Sequence, residues 1–204
     1  SFGATSPING RRYRLEASPT FGSIDFTSLL ADYRQYVMPV PFYTLAFRVM
    51  HYGRYGSGGE DPRLYPMYIG YPSLVRGYDV GTVEGSECLP VAWSDCPAID
   101  QLLGSKMLVG NVELRFPLLR PLGLSRSMYG PVPVEVALFA DTGVAWTRDQ
   151  TPRLLGGSRE GVASAGVALR VNILGFMIGE FDIVRPFHRP RQGSMFAFNL
   201  LPGW

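Results

Sequence analysis

The stretch VEVALFADTGVAW, residues 134–146, alternates so strictly that its period decides the fold. Val134, Val136, Leu138, Ala140, Val144 and Trp146 fall on one face, and Glu135, Ala137, Phe139, Asp141 and Gly143 on the other. Successive side chains of a strand point to opposite faces, so the segment is a strand with one apolar face and one mixed polar face. The same reading applies to NVELRFPLL (111–119), where Val112, Leu114 and Phe116 oppose Asn111, Glu113 and Arg115. In FYTLAFRVM (42–50), Tyr43, Leu45, Phe47 and Val49 oppose Thr44, Ala46, Arg48 and Met50.

Working outward, eight such segments are predicted, at about 11–22, 25–38, 42–55, 104–119, 132–148, 160–172, 174–187 and 193–201. No long segment repeats apolar residues at i, i+3, i+4 and i+7, and Gly and Pro recur too often for long helices. Short links such as FGSID, PVP, NILG and HRPRQG alternate with longer connections, the longest being 56–103. That is the pattern of antiparallel hairpins with tight turns at one end and long loops at the other. The segments are long for a soluble sandwich but close to the roughly 9–11 residues that cross a bilayer at a tilt.

The chain of 204 residues suits one domain, 1–204. Its net charge of +2, with Lys106 the single lysine, leaves no footprint for nucleic acid. Every apolar run is interrupted by Gly, Pro, Arg or Asp well short of the roughly 20 residues of a membrane helix, which excludes a helical membrane protein. The start, SFGATSPING, has no basic-then-apolar leader and fits either a processed chain or a piece of a longer one. Cys88 and Cys96, with seven residues between them in a Gly, Pro and Ser-rich stretch, suit a loop-closing disulfide in an oxidising compartment better than a redox or zinc motif; two free thiols are the alternative.

Charge makes up only 18% of the chain, below the roughly 25% of an average soluble domain. In a soluble barrel of the lipocalin type the apolar face would turn inward; in an outer-membrane barrel it meets lipid and the polar face lines the interior. The second arrangement is favoured by three features. Tyr33, Tyr36, Phe42, Tyr43, Trp146 and Phe187 lie near strand ends, as an interfacial girdle requires. Small residues such as Ser164, Gly166 and Ala168 occupy the polar face. That face also carries mixed charges, Asp32, Arg34, Arg48, Glu113, Arg115, Glu135, Asp141, Arg170, Glu180 and Asp182, most simply a mutually neutralising network. The fold class is therefore all-β, an antiparallel transmembrane β-barrel with eight strands per chain, closed alone or paired into a larger barrel.

Three short motifs stand in order on these strands: Val75-Arg76-Gly77-Tyr78 on the long loop, Glu113 before Arg115-Phe116-Pro117, and Phe139-Ala140-Asp141-Thr142-Gly143. Together with DYRQYV (32–37), SAGVALRVN (164–172), EFDIVRPF (180–187) and the closing FAFNLLPGW, they resemble the C-terminal half of the BamA/TamA/two-partner-secretion superfamily of outer-membrane assembly and translocation barrels, the bacterial surface antigen family. The resemblance implies that Arg76 folds back into the lumen, pairs with Asp141 and Glu113 and packs on Phe139. A guanidinium suits this role because it is permanently charged, offers a planar fork to carboxylates and stacks on aromatic faces. Gly77 would permit a backbone angle unfavourable to other residues. Phe196, Phe198, Leu200 and the terminal Trp204 share one parity and resemble the C-terminal signal of outer-membrane barrels.

Members of that family have sixteen strands, whereas eight closed alone leave an interior only just filled by side chains. Either the eight close by themselves, two chains pair their edges in a homodimer, or further strands belong to the same polypeptide. The implied partners are membrane lipid, the outer-membrane protein assembly machinery and client barrel proteins, at the Gram-negative outer membrane. With no periplasmic repeat ahead of the first strand, a passive anchor or structural barrel for an N-terminal module is the second reading, and a soluble ligand-binding barrel the third. No enzyme is expected: His51 and His188 have no triad or metal-site neighbours, and the Gly-rich stretches GSGG and LLGGS lack the Lys-Ser/Thr of a phosphate loop. No catalytic residue, metal or cofactor is assigned.

Overall fold

The computed structural model describes residues 5–88, 96–119, 123, 133–173, 175, 177–189 and 193–202. Among these residues ten strands form, in order β1 (Gly10–Thr20), β2 (Phe26–Val40), β3 (Tyr43–Tyr55), β4 (Met67–Tyr68), β5 (Leu103–Gly104), β6 (Lys106–Pro117), β7 (Val134–Trp146), β8 (Val162–Ile173), β9 (Met177–Pro186) and β10 (Met195–Pro202). The eight long strands make one antiparallel sheet in the order β1-β2-β3-β6-β7-β8-β9-β10. They coincide with the eight predicted segments to within a few residues at each end. No helix of the described residues is long and apolar enough to cross a membrane.

The sheet is open. β1 and β10 are its two edges, and among the described residues they pair with β2 and β9 alone. The eight strands are thus not closed on themselves among the described residues; eight alone would enclose little beyond their own side chains, and here the inner face also carries the long connection.

The link expected as a loop over 56–103 folds back over that face. It carries the β4–β5 ladder, two 3-10 turns (Val80–Thr82 and Gly85–Glu87) and a short α-helix, α1 (Pro97–Asp100). Met67, Ile69, Val75, Tyr78 and Leu102 of this connection pack with Met50, Met107, Val109, Ala145 and Val162 from the strands into one buried cluster. Apolar burial of this kind is what holds a long connection down, since each large aliphatic side chain contributes roughly 1.5–3 kcal/mol.

Burial along the sheet is inverted relative to a water-soluble barrel. The apolar face is the open one: Leu15, Val49, Ile183 and Phe198 are all at least half exposed. Carboxylates fill the covered face, with Glu113, Glu135, Asp141, Glu180 and Asp182 all buried. A surface that leaves Leu, Ile and Phe in rows while burying ions is the surface of a protein whose solvent on that side is hydrocarbon.

Val40 pairs with Tyr43 across Pro41 and Phe42, and Phe42 has φ 76°, so a proline at the first central position and a positive φ at the second match a type II hairpin turn. Tyr36 does not join an interfacial girdle. It is buried on the inner face, under the Arg115 guanidinium at 5.5 Å, because its position in β2 shares parity with Asp32 and Arg34.

Candidate functional site

Val75-Arg76-Gly77-Tyr78 sits at the centre of the inner face. Gly77 has φ 85°, a backbone region that L side chains rarely adopt, and this bend turns Arg76 toward the sheet. The Arg76 guanidinium donates from Nε to Asp141 Oδ2 at 2.7 Å and from Nη2 to Asp141 Oδ1 at 2.9 Å. A further Nη2 bond reaches Glu113 Oε1 at 2.8 Å, and the Arg76 amide donates to Asp141 Oδ2 at 3.2 Å. Its plane lies over the Phe139 ring, with Cζ 3.5 Å from the centroid. Charge pairing, fork geometry and stacking therefore converge on one side chain that is 5% exposed.

Both flanks of the turn are pinned as well. Val75 is fully buried at Gly143, where an added Cβ would meet Val75 Cγ2 at 2.7 Å, so β7 must carry glycine there for the loop to seat. Tyr78 donates its hydroxyl to the Ala163 carbonyl at 2.7 Å and accepts the His188 amide at 3.1 Å. Asn111 Nδ2 donates to the Leu74 carbonyl at 2.7 Å, and Arg48 Nη1 to the Ser73 carbonyl at 2.8 Å.

Beneath the turn lies a network whose hub is Glu113. It accepts from Arg76, from Arg115 Nε at 2.7 Å and from both Arg170 terminal nitrogens at 3.0 Å. Arg170 also holds Glu180 through Nε and lies 3.5 Å from Glu135, which in turn accepts from Thr5 and Ser6. A cavity of about 390 Å³ opens below Arg76, lined by Arg34, Arg48, Arg115 and Arg170 among others. Buried ion networks are favourable only when every member is satisfied, which the shared contacts of Glu113 largely achieve.

Glu113, Phe139, Asp141 and Gly143 thus surround the loop turn directly, while Arg115 reaches it only through Glu113. Cys88 and Cys96 form a disulfide in the same connection. Phe196, Phe198 and Leu200 stand on the outward face of β10, exposed. Trp204 lies outside the described residues.

Sequence reading missed a second lock. Arg189, in the link after β9, is 2% exposed and forks onto Glu87, with Nε at 2.8 Å from Oε2 and Nη2 at 2.5 Å from Oε1. It also donates to the Gly77 and Thr82 carbonyls at 2.9 and 2.7 Å. HRPRQG reads as a turn because nothing local marks one arginine as buried, and its partner is 102 residues away.

Comparison with known proteins agrees with this fold. The model of the Omp85 superfamily domain matches residues 4–200. Among solved structures, the crystal structure of BamA from Haemophilus ducreyi lacking POTRA domains 1–3 superposes with a TM-score of 0.65 at 18% identity, covering 95% of this chain and 38% of that one. The chain therefore spans well under half the length of that protein, and the likeness at this identity is one of fold. No curated protein matches by sequence.

Proposed function

This chain belongs to the Omp85 superfamily, and from that membership we propose that it forms part of the wall of an outer-membrane barrel acting in the insertion or translocation of other outer-membrane proteins. The observation that carries the reading is the docking of Arg76 on Asp141, Glu113 and Phe139. A loop held in the interior by one buried side chain gives the lumen a plug at a defined position, with the outward apolar face left for lipid. Client barrel proteins and the assembly machinery are the partners this implies, at the Gram-negative outer membrane, and the role is one of binding and guiding rather than covalent chemistry.

The test is reconstitution of the protein in liposomes, followed by the folding rate of an unfolded outer-membrane barrel protein added from denaturant. Acceleration over empty liposomes, reduced in Arg76→Ala, supports the reading. Full membrane insertion of the protein without any acceleration sinks it and leaves a passive barrel that anchors another module.

A further inference from the structure

Where β3 ends and β6 begins, the outward face of the sheet gathers aromatic and basic side chains. Register sets Gly53, Lys106 and Trp146 side by side, so Tyr55, Lys106 and Trp146 share that face. His51 stacks on Trp146 with ring centroids 5.8 Å apart and meets the Tyr55 hydroxyl at 2.7 Å, and the Lys106 ammonium stands 5.5 Å from the Tyr55 ring centroid. Aromatic rings gathered where an apolar band ends mark the depth of the lipid headgroups. Outer-membrane barrels keep tight turns, such as Pro41–Phe42 here, on the periplasmic side and long loops outside, so the headgroups at this end belong to the outer leaflet.

Beside the rings lies a cleft of about 300 Å³, lined by Arg54, Tyr55, Lys106, Trp146, Arg148 and Leu155 among others. The one acid lining it among the described residues, Glu60, is already engaged by Ser105, Lys106 and the Arg148 amide. The Arg54 and Arg148 guanidinium groups have only carbonyl partners among the described residues, those of Tyr65 and Gly56. A guanidinium carries five N–H donors, so both keep donors for a further ligand. Leu154 and Leu155, on the 3-10 turn Arg153–Leu155, are 76% and 66% exposed in a link that otherwise reads TRDQTPR and GGSREG.

We propose that this cleft holds the phosphate of an outer-leaflet lipid headgroup. Arg54 and Arg148 donate to the phosphate oxygens, Lys106 adds its charge, and Leu154 and Leu155 enter the acyl chains. The inference rests on the reading of the chain as an outer-membrane barrel. A planar guanidinium fork matches paired phosphate oxygens, which a point charge does not. The surroundings select a lipid over a free anion: a dissolved phosphate gains nothing from two exposed leucines or from an opening beside the apolar band, whereas a lipid satisfies the charge and the apolar surface together. β3, β6 and β7 are interior strands of the sheet, so no further strand is needed to complete the cleft.

The experiment places the chain in nanodiscs of phosphatidylcholine doped with diphosphorylated lipid A, or with the same lipid stripped of its phosphates, and measures lipid retained per protein by native mass spectrometry. Selective retention of the phosphorylated lipid is expected, lowered about tenfold in Arg54→Gln/Arg148→Gln. Arg148→Gln alone guards against misfolding, because that side chain is exposed and makes one carbonyl bond; it should still lose retention a few-fold. Leu154→Asn/Leu155→Asn should weaken retention too. Arg63→Gln, a change at an exposed arginine already paired with Asp61, should not. Equal retention of the two lipids, retention indifferent to the arginine or the leucine changes, an equal loss in Arg63→Gln, or full displacement by millimolar inorganic phosphate overturns the proposal, the last by making this a site for a free anion. Solubility without detergent, by contrast, defeats the membrane reading itself, whereas a detergent-requiring chain that retains neither lipid overturns the proposal and leaves that reading standing.

Discussion

Among the described residues, Asp141 in β7 has a single cationic partner, Arg76, which it meets through two guanidinium bonds and one backbone amide; Glu113, one strand away, has three. The consequence is an asymmetry. Removing Arg76 leaves Asp141 buried and uncompensated, while Glu113 keeps Arg115 and Arg170. We expect Arg76→Ala to destabilise the folded protein by about 3–5 kcal/mol, the range for breaking one side of a buried pair. Asp141→Asn added to Arg76→Ala should cost much less than the sum of the two single changes, read as midpoints of thermal unfolding in detergent. Additive single and double effects would show that the two residues do not act as a pair.

Gly143 seats Val75, so Gly143→Val should lift the turn off β7 at a cost of about 1–3 kcal/mol, the usual penalty of overpacking. Combining it with Val75→Ala should restore part of the loss. Proteolysis of the connection between β3 and β6 measures both, and equal cleavage of parent and Gly143→Val proteins would refute the packing account.

Arg189→Ala should free the Glu87 end of the connection without disturbing the Arg76 end, because the two arginines share no side-chain partner. Hydrogen exchange resolves this: protection should fall across residues 77–88 and stay unchanged at 74–76. Uniform loss over both stretches would mean that the connection docks as one unit.

Glu60 links this connection to the start of β6 and to the link after β7, accepting from Ser105, Lys106 and the Arg148 amide. Burial alone would raise its pKa, but the hydrogen bonds from Ser105 and Arg148 and the nearby Lys106 outweigh it and hold the carboxylate below its usual 4.5. A lowered folded pKa contributes stability that is present above about pH 4.5 and lost as pH falls through the folded value. Glu60→Gln should therefore flatten the acid limb of the stability profile and leave the neutral plateau lower; an unchanged acid limb would refute the assignment.

Period two in 134–146 and its neighbours by itself determined the strands, their lengths and which side chains share a face, because alternation is a local property that each strand repeats. Val75-Arg76-Gly77-Tyr78 and Asp141 were legible for a similar reason: each is a compact motif, and Gly77 and Gly143 are required by local backbone and close approach. What the sequence could not determine depends on residues far apart in the chain. Alternation put Glu113 and Arg170 on one polar face but not in contact, which they make across 57 positions, and Arg189 meets Glu87 across 102 with no periodic mark on either. Tyr36 looked like a girdle residue until parity with Arg34 put it inside, under Arg115. Only the tertiary structure decided that the connection over 56–103 packs back onto the inner face, since that depends on apolar contacts between residues far apart in the chain, which no single strand records.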